Sequence, residues 1–191
     1  MRMHRDTSLL LIVDLQVGLL PVLATGEQAV EEASWMGGVA EALGVPVWLT
    51  EQYPEGLGES VPSLLASLEN PRVWRKTHFN AHAEPDFADA LADTGRRQIV
   101  LCGAEAHICV LQTGLALLEA GYRVAWLTEA ASSRRPAEAS LARQRVERAG
   151  AQAVSADMVA YEWLERCDDA RFKDIHRRFL KERSSRPLCF D

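Results

Sequence analysis

The sequence predicts a doubly wound α/β domain, with a Rossmann-like parallel sheet of about six strands and helices on both faces. Short runs rich in Val, Ile and Leu alternate with longer stretches in which Ala, Leu, Glu and Arg recur at helical spacing. Several of the short runs are apolar almost throughout, as strands covered on both faces are. Strands that alternate with helices pair in parallel through right-handed crossovers.

Six segments have the composition of strands. The first, SLLLIVD, is apolar from its second residue until its final carboxylate, and QIVLCG in the middle of the chain has a similar character. The predicted strands are residues 8–14, 45–51, 72–76, 98–103, 122–128 and 151–156. Five longer segments between and after them have helical spacing. The predicted helices are residues 27–43, 84–94, 107–120, 136–149 and 157–183.

Glycines support the helix assignments. One glycine directly follows each of the first four predicted helices, at Gly44, Gly95, Gly121 and Gly150. Glycine is common just past the last turn of a helix, because it adopts the left-handed conformation that ends the helix. Residues 52–71, with the sequence YPEGLGESVP, lack a clear period, and we predict a loop there with about one helical turn.

Composition narrows the class of protein. With 191 residues and 48% hydrophobic content, the chain is expected to form one domain over residues 1–191. A formal charge of −6 argues against a nucleic-acid surface, and the basic run from Arg171 to Arg186 is interleaved with acids, so we interpret it as a solvated helix face. Four cysteines without a C-x-x-C pair or a secretory leader predict a cytoplasmic protein. No apolar run approaches the roughly 20 residues that span a bilayer.

Three polar residues occur where parallel strands end, which is where ligands bind in open sheets of this kind. Asp14 ends the first predicted strand, Lys76 ends the third, and Cys109 lies six residues beyond Gly103. We expect a helix start to lower the pKa of the Cys109 thiol. Each residue has a structural alternative: a capping aspartate, a surface lysine and a core cysteine. Together they could supply a proton acceptor, a cation and a nucleophile.

Longer motifs around these residues resemble one family. The stretches LLIVDLQ, WRKTHFNAH and LCGAEAHICVLQTGLALLEAGYRV are similar to those of the isochorismatase-like cysteine hydrolases, especially the isochorismatase-domain-containing branch. The resemblance implies that Cys109 is the nucleophile, Asp14 the general acid/base and Lys76 the supporting cation. It also implies a cis peptide between Ala104 and Glu105, with the N–H groups of Glu105 and Cys109 forming an oxyanion hole.

Departures from the family pattern refine the expected chemistry. Isochorismatases cleave a vinyl ether without the cysteine, so Cys109 favours acyl chemistry on an amide. The metal-binding branch has an aspartate and histidines after its second strand, where this chain has TEQYPEGLGES, and we predict no metal and no cofactor. The segment DLQVGL places Leu19 where an aromatic residue often packs over the substrate in this family.

Several further residues are candidates for the substrate pocket. Tyr53 and Phe79 follow strands, and His78 with His82 is interpreted as surface or pocket lining. Gln16 and Gln52 could orient substrate or satisfy loop carbonyls. His107 lies two residues before Cys109 on a predicted helix and would not face it, so we assign it to lining or capping. The pocket candidates are Gln16, Leu19, Gln52, Tyr53, His78 and Phe79.

The sequence therefore predicts a hydrolase that cleaves a C–N bond in a small amide-type molecule through a thioester. Two alternatives stay open: an isochorismatase-type ether hydrolase, and a catalytically quiet oligomeric protein that binds a ligand or senses redox state. Partners are expected to be small molecules and further copies of the chain, not nucleic acid or membrane. Self-association is suggested by the family and by the apolar tail Pro187, Leu188, Cys189 and Phe190.

Overall fold

A computed structural model describes residues 2–188, so Cys189 and Phe190 of the predicted association tail lie outside the described residues. Its centre is a sheet of six strands, all parallel, in the order β3-β2-β1-β4-β5-β6, which confirms the predicted fold class. The strands are β1 (Ser8–Val13), β2 (Val47–Gln52), β3 (Arg72–Lys76), β4 (Gln98–Gly103), β5 (Arg123–Ala131) and β6 (Gln152–Val154). β5 extends to Ala131 rather than to residue 128.

The strand order reverses beside β1. β2 and β3 lie on one side of it and β4, β5 and β6 on the other, so the chain crosses from one half of the sheet to the other between β3 and β4. Val13, the last residue of β1, is in register with Thr50 of β2 and with Gly103 of β4. Because such reversals open a crevice at the carboxyl ends of the strands, residues that follow β1, β2 and β4 are placed to meet there.

Helices connect successive strands. They are α1 (Gly26–Ala42), α2 (Pro54–Leu57), α3 (Pro62–Ala66), α4 (Pro85–Asp93), α5 (Leu111–Glu119), α6 (Pro136–Arg148), α7 (Ala156–Leu164), α8 (Phe172–Ile175) and α9 (Lys181–Arg183). Two π-helical segments, Ala106–Val110 and His176–Leu180, lead directly into α5 and α9. All four glycines that were predicted to end helices have positive φ, between 66° and 116°.

Both faces of the sheet are covered, and the strand sequences explain how. Leu10 and Ile12 of β1 pack toward the side of α1, α3 and α7, whereas Leu9, Leu11 and Val13 pack toward α4, α5 and α6. Alternate residues of a strand point to opposite faces, so a strand buried on both sides must be apolar at every position. No helix among residues 2–188 is long and apolar enough to cross a membrane.

The prediction of a single helix over residues 157–183 is wrong. α7 ends at Leu164, and Glu165 has a φ of 60°, which is incompatible with continuing a right-handed helix. The Arg5 side chain donates to the Trp163 carbonyl at this end, and the Asp169 carboxylate accepts from the Arg171 N–H and starts the next segment. Side-chain hydrogen bonds of this kind compete with helical ones and favour a turn.

Residues 52–71 contain two short helices, α2 and α3, rather than a loop with about one turn. Each begins with a proline, Pro54 or Pro62, at its first position. Proline fits the first turn of a helix because its ring fixes a helical φ and the missing N–H has no partner there. The hydrophobic period is too short in both helices to be read from sequence.

The interpretation of residues 171–186 as a solvated helix face is also wrong for Arg183. Arg177 and Arg178 are exposed, but the Arg183 side chain is 1% exposed. Its guanidinium contacts the buried carboxylates of Glu32 and Glu129. A spacing argument could not identify this residue, because its partners are far away in the sequence.

Candidate active site

Asp14 follows β1 and turns its carboxylate into the crevice. The residue is fully buried and has a φ of 50°, a left-handed conformation that Asp tolerates better than most residues. Its backbone N–H donates to the Thr50 carbonyl, and its Oδ1 accepts from the Thr50 hydroxyl at 2.7 Å. The neighbouring strand β2 therefore fixes the orientation of the carboxylate.

Lys76 ends β3 and reaches across the end of β2 to Asp14. Its Nζ lies 2.7 Å from Asp14 Oδ2 and 2.7 Å from Gln52 Oε1. The carbonyls of His78 and Phe79 complete its surroundings at 3.3 Å each. With a side chain that is 1% exposed, this lysine is not a surface residue. A buried ammonium of this kind needs a paired carboxylate and further acceptors, and it has both.

Cys109 is the fourth residue of the π-helical segment after β4, and it is 5% exposed. The expectation of a lowered thiol pKa is wrong for this state of the molecule. Burial raises the pKa of the Cys109 thiol to about 12; the charge of Asp14 and a hydrogen bond to it add to the rise, while the charge and hydrogen bond of Lys76 oppose it. The thiol thus meets both predicted partners and is protonated at neutral pH.

The turn between β4 and Cys109 comes very close to β1. A Cβ on Gly103 would lie 1.9 Å from the Val13 carbonyl oxygen, so only glycine fits there. The Ala104 N–H donates to the same carbonyl at 2.8 Å, and the Ala104–Glu105 peptide is cis, as predicted. Among the hydrogen bonds within residues 2–188, none uses the backbone N–H of Glu105 as its donor, which leaves this N–H available to a ligand.

The two glutamines of the predicted pocket hold protein groups. Gln16 Nε2 donates to the carbonyls of Gln52 and Gly58, and Gln16 Oε1 accepts from the Gln52 N–H. Gln52 Nε2 donates to the Thr77 carbonyl, while its Oε1 accepts from Lys76. Of the two roles left open by the sequence, satisfaction of loop groups is the one in place, and Gln52 additionally positions Lys76.

The other pocket candidates are exposed or half-buried. Tyr53 and Phe79 are 56% and 53% exposed, and Leu19 is half-buried. His78 is exposed, with its Nδ1 3.0 Å from Glu84 Oε1. Contact of these four side chains with a substrate stays a prediction.

His107 does not pair with Cys109. Its Nδ1 lies 2.9 Å from Ser133 Oγ and its Nε2 lies 3.2 Å from Glu138 Oε2, both on the segment that follows β5. The side chain thus joins the turn after β4 to that segment, in agreement with a lining or capping role. Within residues 2–188, no group of three or more His, Cys, Asp and Glu side chains is arranged to hold a metal ion.

Sequence reasoning missed two residues that support the site. Thr50 lies within the second predicted strand. The signal that could have identified it is a polar residue near the end of a strand that pairs in parallel with the strand ending at Asp14. Arg134 donates to both carboxylate oxygens of Glu105 at 2.9 Å. Nothing in the local sequence marks this contact, because the two residues are 29 positions apart.

A cavity of about 560 Å³ lies beside the start of α1, and it does not coincide with these residues. It is lined by Leu20, Pro21, Leu23, Ala24, Thr25, Gly26, Glu27 and Gln28. The candidate site is instead at Asp14, Lys76 and Cys109, because a thiol, a carboxylate and an amine converge there.

Comparison with known proteins identifies similar sequences and structures. A family model described as "Isochorismatase domain" matches residues 8–158. The mouse isochorismatase domain-containing protein 2A is 35% identical over 182 residues, which is 95% of this chain and 86% of the relative. A structure described as the MAR1 ribonuclease of Caenorhabditis elegans superposes with a TM-score of 0.88 at 31% identity, over 94% of this chain and 93% of that one. The YcaC gene product of Escherichia coli, described as an octameric hydrolase of unknown specificity, superposes with a TM-score of 0.84 at 26% identity, over 95% and 92%.

Proposed function

The chain belongs to the isochorismatase family of hydrolases, and from this premise we propose that it cleaves a C–N bond of amide type in a small molecule, with Cys109 as nucleophile. The observation that carries the proposal is the buried contact between Lys76 Nζ and Asp14 Oδ2, at 2.7 Å, beside the Cys109 thiol. A cysteine nucleophile requires a group that accepts its proton and a cation that balances the charge.

The raised pKa of Cys109 decides how the reaction begins. Because the thiol is neutral at neutral pH, Asp14 takes its proton while the sulfur attacks the substrate carbonyl carbon. The negative charge passes from the Asp14 carboxylate to the sulfur and then to the carbonyl oxygen. Lys76 stays positive throughout and limits the cost of this transfer in a buried site.

The remaining steps return the protein to its first state. The N–H groups of Glu105 and Cys109 stabilise the oxyanion of the tetrahedral intermediate. As it collapses, the C–N bond breaks and Asp14 gives its proton to the departing nitrogen. A water molecule then loses a proton to Asp14 and attacks the thioester carbonyl. The acid product leaves, and the released thiolate regains its proton from Asp14.

RNA is not the substrate that we propose, although one similar structure is described as a ribonuclease. Proteins that bind RNA neutralise phosphates with clustered Lys and Arg, whereas this chain has a formal charge of −6. The octameric description of the E. coli neighbour supports self-association of this chain into a homo-oligomer. A cytoplasmic location stays a prediction.

A panel of small amides, with release of ammonia or amine as the readout, tests the proposal. Single-stranded RNA and a vinyl ether are assayed in parallel. Cys109→Ala removes the atom that forms the thioester, so amide turnover should fall to background. Asp14→Asn keeps the size of the side chain but cannot transfer the proton, and it should lower turnover by roughly 10²–10⁴-fold.

The two variants also separate the alternatives. Retained turnover of the vinyl ether in Cys109→Ala, with loss in Asp14→Asn, would move the assignment to ether hydrolysis. Absence of turnover on every amide, together with peroxide-dependent oxidation of Cys109, would favour the redox-sensing alternative. Circular dichroism of both variants controls for folding.

A further inference from the structure

The turn that holds the proposed oxyanion donors also contains a buried carboxylate that the mechanism does not use. Glu105 is 3% exposed, and among the described residues its side chain forms no hydrogen bond with Asp14 or Lys76. A buried carboxylate is costly unless it is paired. Its presence directly at the candidate oxyanion hole therefore calls for a function.

The partner of this carboxylate is Arg134, on the segment that follows β5. The guanidinium Nε donates to both Glu105 oxygens at 2.9 Å, and a second guanidinium nitrogen contacts Oε1. The backbone N–H of Arg134 donates to Oε2 at 3.1 Å. A bidentate contact with arginine fixes both the position and the orientation of a carboxylate, whereas the ammonium group of lysine cannot make this contact.

The same two segments are also linked by the backbone and by His107, whose Nδ1 lies 2.9 Å from Ser133 Oγ and 3.8 Å from Glu105 Oε2 and whose Nε2 lies 3.2 Å from Glu138 Oε2. The Ser132 N–H donates to the Gly103 carbonyl at 3.0 Å, and the Ala106 N–H donates to the Ser132 carbonyl at 2.8 Å. These bonds fix the backbone on either side of Glu105. The Glu105 carbonyl accepts from the N–H groups of Ile108 and Val110 at 3.0 and 3.3 Å, and Arg134 holds the Glu105 carboxylate.

The charged state of the pair is secured by Arg134. Burial alone would raise the pKa of the Glu105 carboxyl, but hydrogen bonds from the side chain and the backbone of Arg134 outweigh burial and hold the pKa below its usual value. The carboxylate is therefore ionised at neutral pH, and the contact persists under the conditions of the reaction.

We infer that Arg134 is a positioning residue for the oxyanion hole. By binding the Glu105 carboxylate, it keeps the Glu105 N–H at the place where the carbonyl oxygen of the substrate becomes negatively charged. This inference rests on the proposed function, because it needs an oxyanion. Arg134 acts through Glu105 and does not itself contact the reacting atoms. Removal of a whole oxyanion donor costs about 10²–10³-fold in rate, and a displaced donor should cost somewhat less.

Two reagents that meet Cys109 differently provide the test. Propanal adds to a cysteine as a thiohemiacetal, in which the former carbonyl oxygen occupies the oxyanion position. Iodoacetamide is displaced at its methylene carbon and creates no oxyanion. The affinity for propanal is measured as protection of Cys109 from iodoacetamide, followed by mass spectrometry of the Cys109 peptide.

Arg134→Gln should weaken propanal affinity by about tenfold or more and leave the rate of alkylation without propanal within about twofold of the original. The matched control is Arg135→Gln. Arg135 is the next residue, but its guanidinium pairs with Glu138 at 2.8 and 2.9 Å instead of with Glu105. Both values should be unchanged in this control. Arg134→Lys, which keeps the charge but not the bidentate contact, should lie between Arg134→Gln and the original.

The outcomes are separable. Equal propanal affinity in Arg134→Gln and the original protein overturns the inference and leaves the proposed function standing. Absence of propanal protection in the original protein, with normal alkylation of Cys109, overturns the proposed oxyanion hole and the inference with it. If Arg134→Gln does not fold, Glu105→Gln decides in its place. That variant keeps the N–H donor and an amide oxygen but loses the charged contact, and unchanged propanal affinity in it would equally overturn the inference.

Discussion

Two groups of buried charges occupy this fold, and they differ in the side chains that surround the ion pairs. The first, called the catalytic cluster because we propose it to be the active site, consists of Asp14, Lys76 and Cys109 at the carboxyl ends of the strands. The Arg183 cluster, on the α1 side of the sheet, consists of Arg183, Glu32, Glu129 and Asp157. Both place side chains of 1% exposure or less in contact with an opposite charge.

The difference lies in what surrounds the charges. In the catalytic cluster, each oxygen of Asp14 has a donor, and a neutral thiol lies beside the ion pair. In the Arg183 cluster, the guanidinium contacts all three carboxylates, and Glu129 Oε2 has no hydrogen-bond partner among the described residues. An arginine side chain does not act as a proton donor to a reacting group in proteins. The proposed mechanism requires the first cluster to move a proton, whereas the second cluster joins α1, β5 and α9.

The Arg183 cluster joins distant parts of the chain. Glu32 belongs to α1, Glu129 to β5 and Arg183 to α9, and Glu129 Oε1 also accepts from the Ala156 N–H at the start of α7. The guanidinium lies over the Trp35 ring, 4.1 Å from its centroid. Burial and charge alone therefore do not identify a catalytic site, since this cluster has both. A nucleophile with a proton acceptor is the distinguishing feature.

The largest effect that separates the clusters is expected from Arg183→Met. Removing one partner of a buried ion pair leaves uncompensated charges and typically costs about 3–5 kcal/mol of unfolding free energy. Urea denaturation followed by circular dichroism measures this change. Alkylation of Cys109 in the folded variant should proceed as in the original protein, because Arg183 is no part of the catalytic cluster.

Arg177→Met is the control for this change. Arg177 belongs to the same C-terminal helical region and pairs with Asp174, but its side chain is 78% exposed. Its removal should cost no more than about 0.5 kcal/mol. An equally small loss in Arg183→Met would mean that the Arg183 cluster contributes no net stability. Adding Glu129→Gln to Arg183→Met should recover part of the loss, because it removes a carboxylate that pairs with no other cation among the described residues, whereas Glu32 still contacts Arg186.

The sequence predicts the part of this comparison that depends on local pattern. Largely apolar runs identify the central strands β1, β2, β4 and β5, and the strand-end rule together with the family resemblance indicates Asp14, Lys76 and Cys109. In sequence, Arg183 looks like the exposed arginines of the same charged helical run. Its buried partners, Glu32 and Glu129, are 151 and 54 positions away, so no local pattern indicates its burial. The pKa of Cys109 likewise follows from burial and from the position of Asp14, which only the folded chain determines.

The pH dependence of Cys109 alkylation tests whether the Cys109 thiol keeps its proton at neutral pH. With a thiol pKa raised to about 12, the thiolate fraction should increase about tenfold per pH unit between pH 6 and pH 10. A free cysteine in the same experiment should level off above about pH 8.5. Rates are obtained by peptide mapping after brief iodoacetamide treatment. A plateau for Cys109 below pH 9 would show a preformed thiolate and contradict proton transfer to Asp14 as the first step.

The smallest effect is expected from Thr50→Val, which separates support of the catalytic carboxylate from general stability. Valine keeps the shape of threonine but removes the hydroxyl that donates to Asp14 Oδ1 at 2.7 Å. A hydrogen bond to a charged group contributes about 1.5–3 kcal/mol, and we expect turnover of the identified amide to fall about tenfold as Asp14 loses its fixed orientation. The control is Ser60→Ala, which removes the buried hydroxyl that donates to Glu51 Oε1 at 2.9 Å. Both variants should lose similar unfolding free energy, but only Thr50→Val should lose turnover. Equal turnover in the two variants would mean that Lys76 alone is enough to orient Asp14.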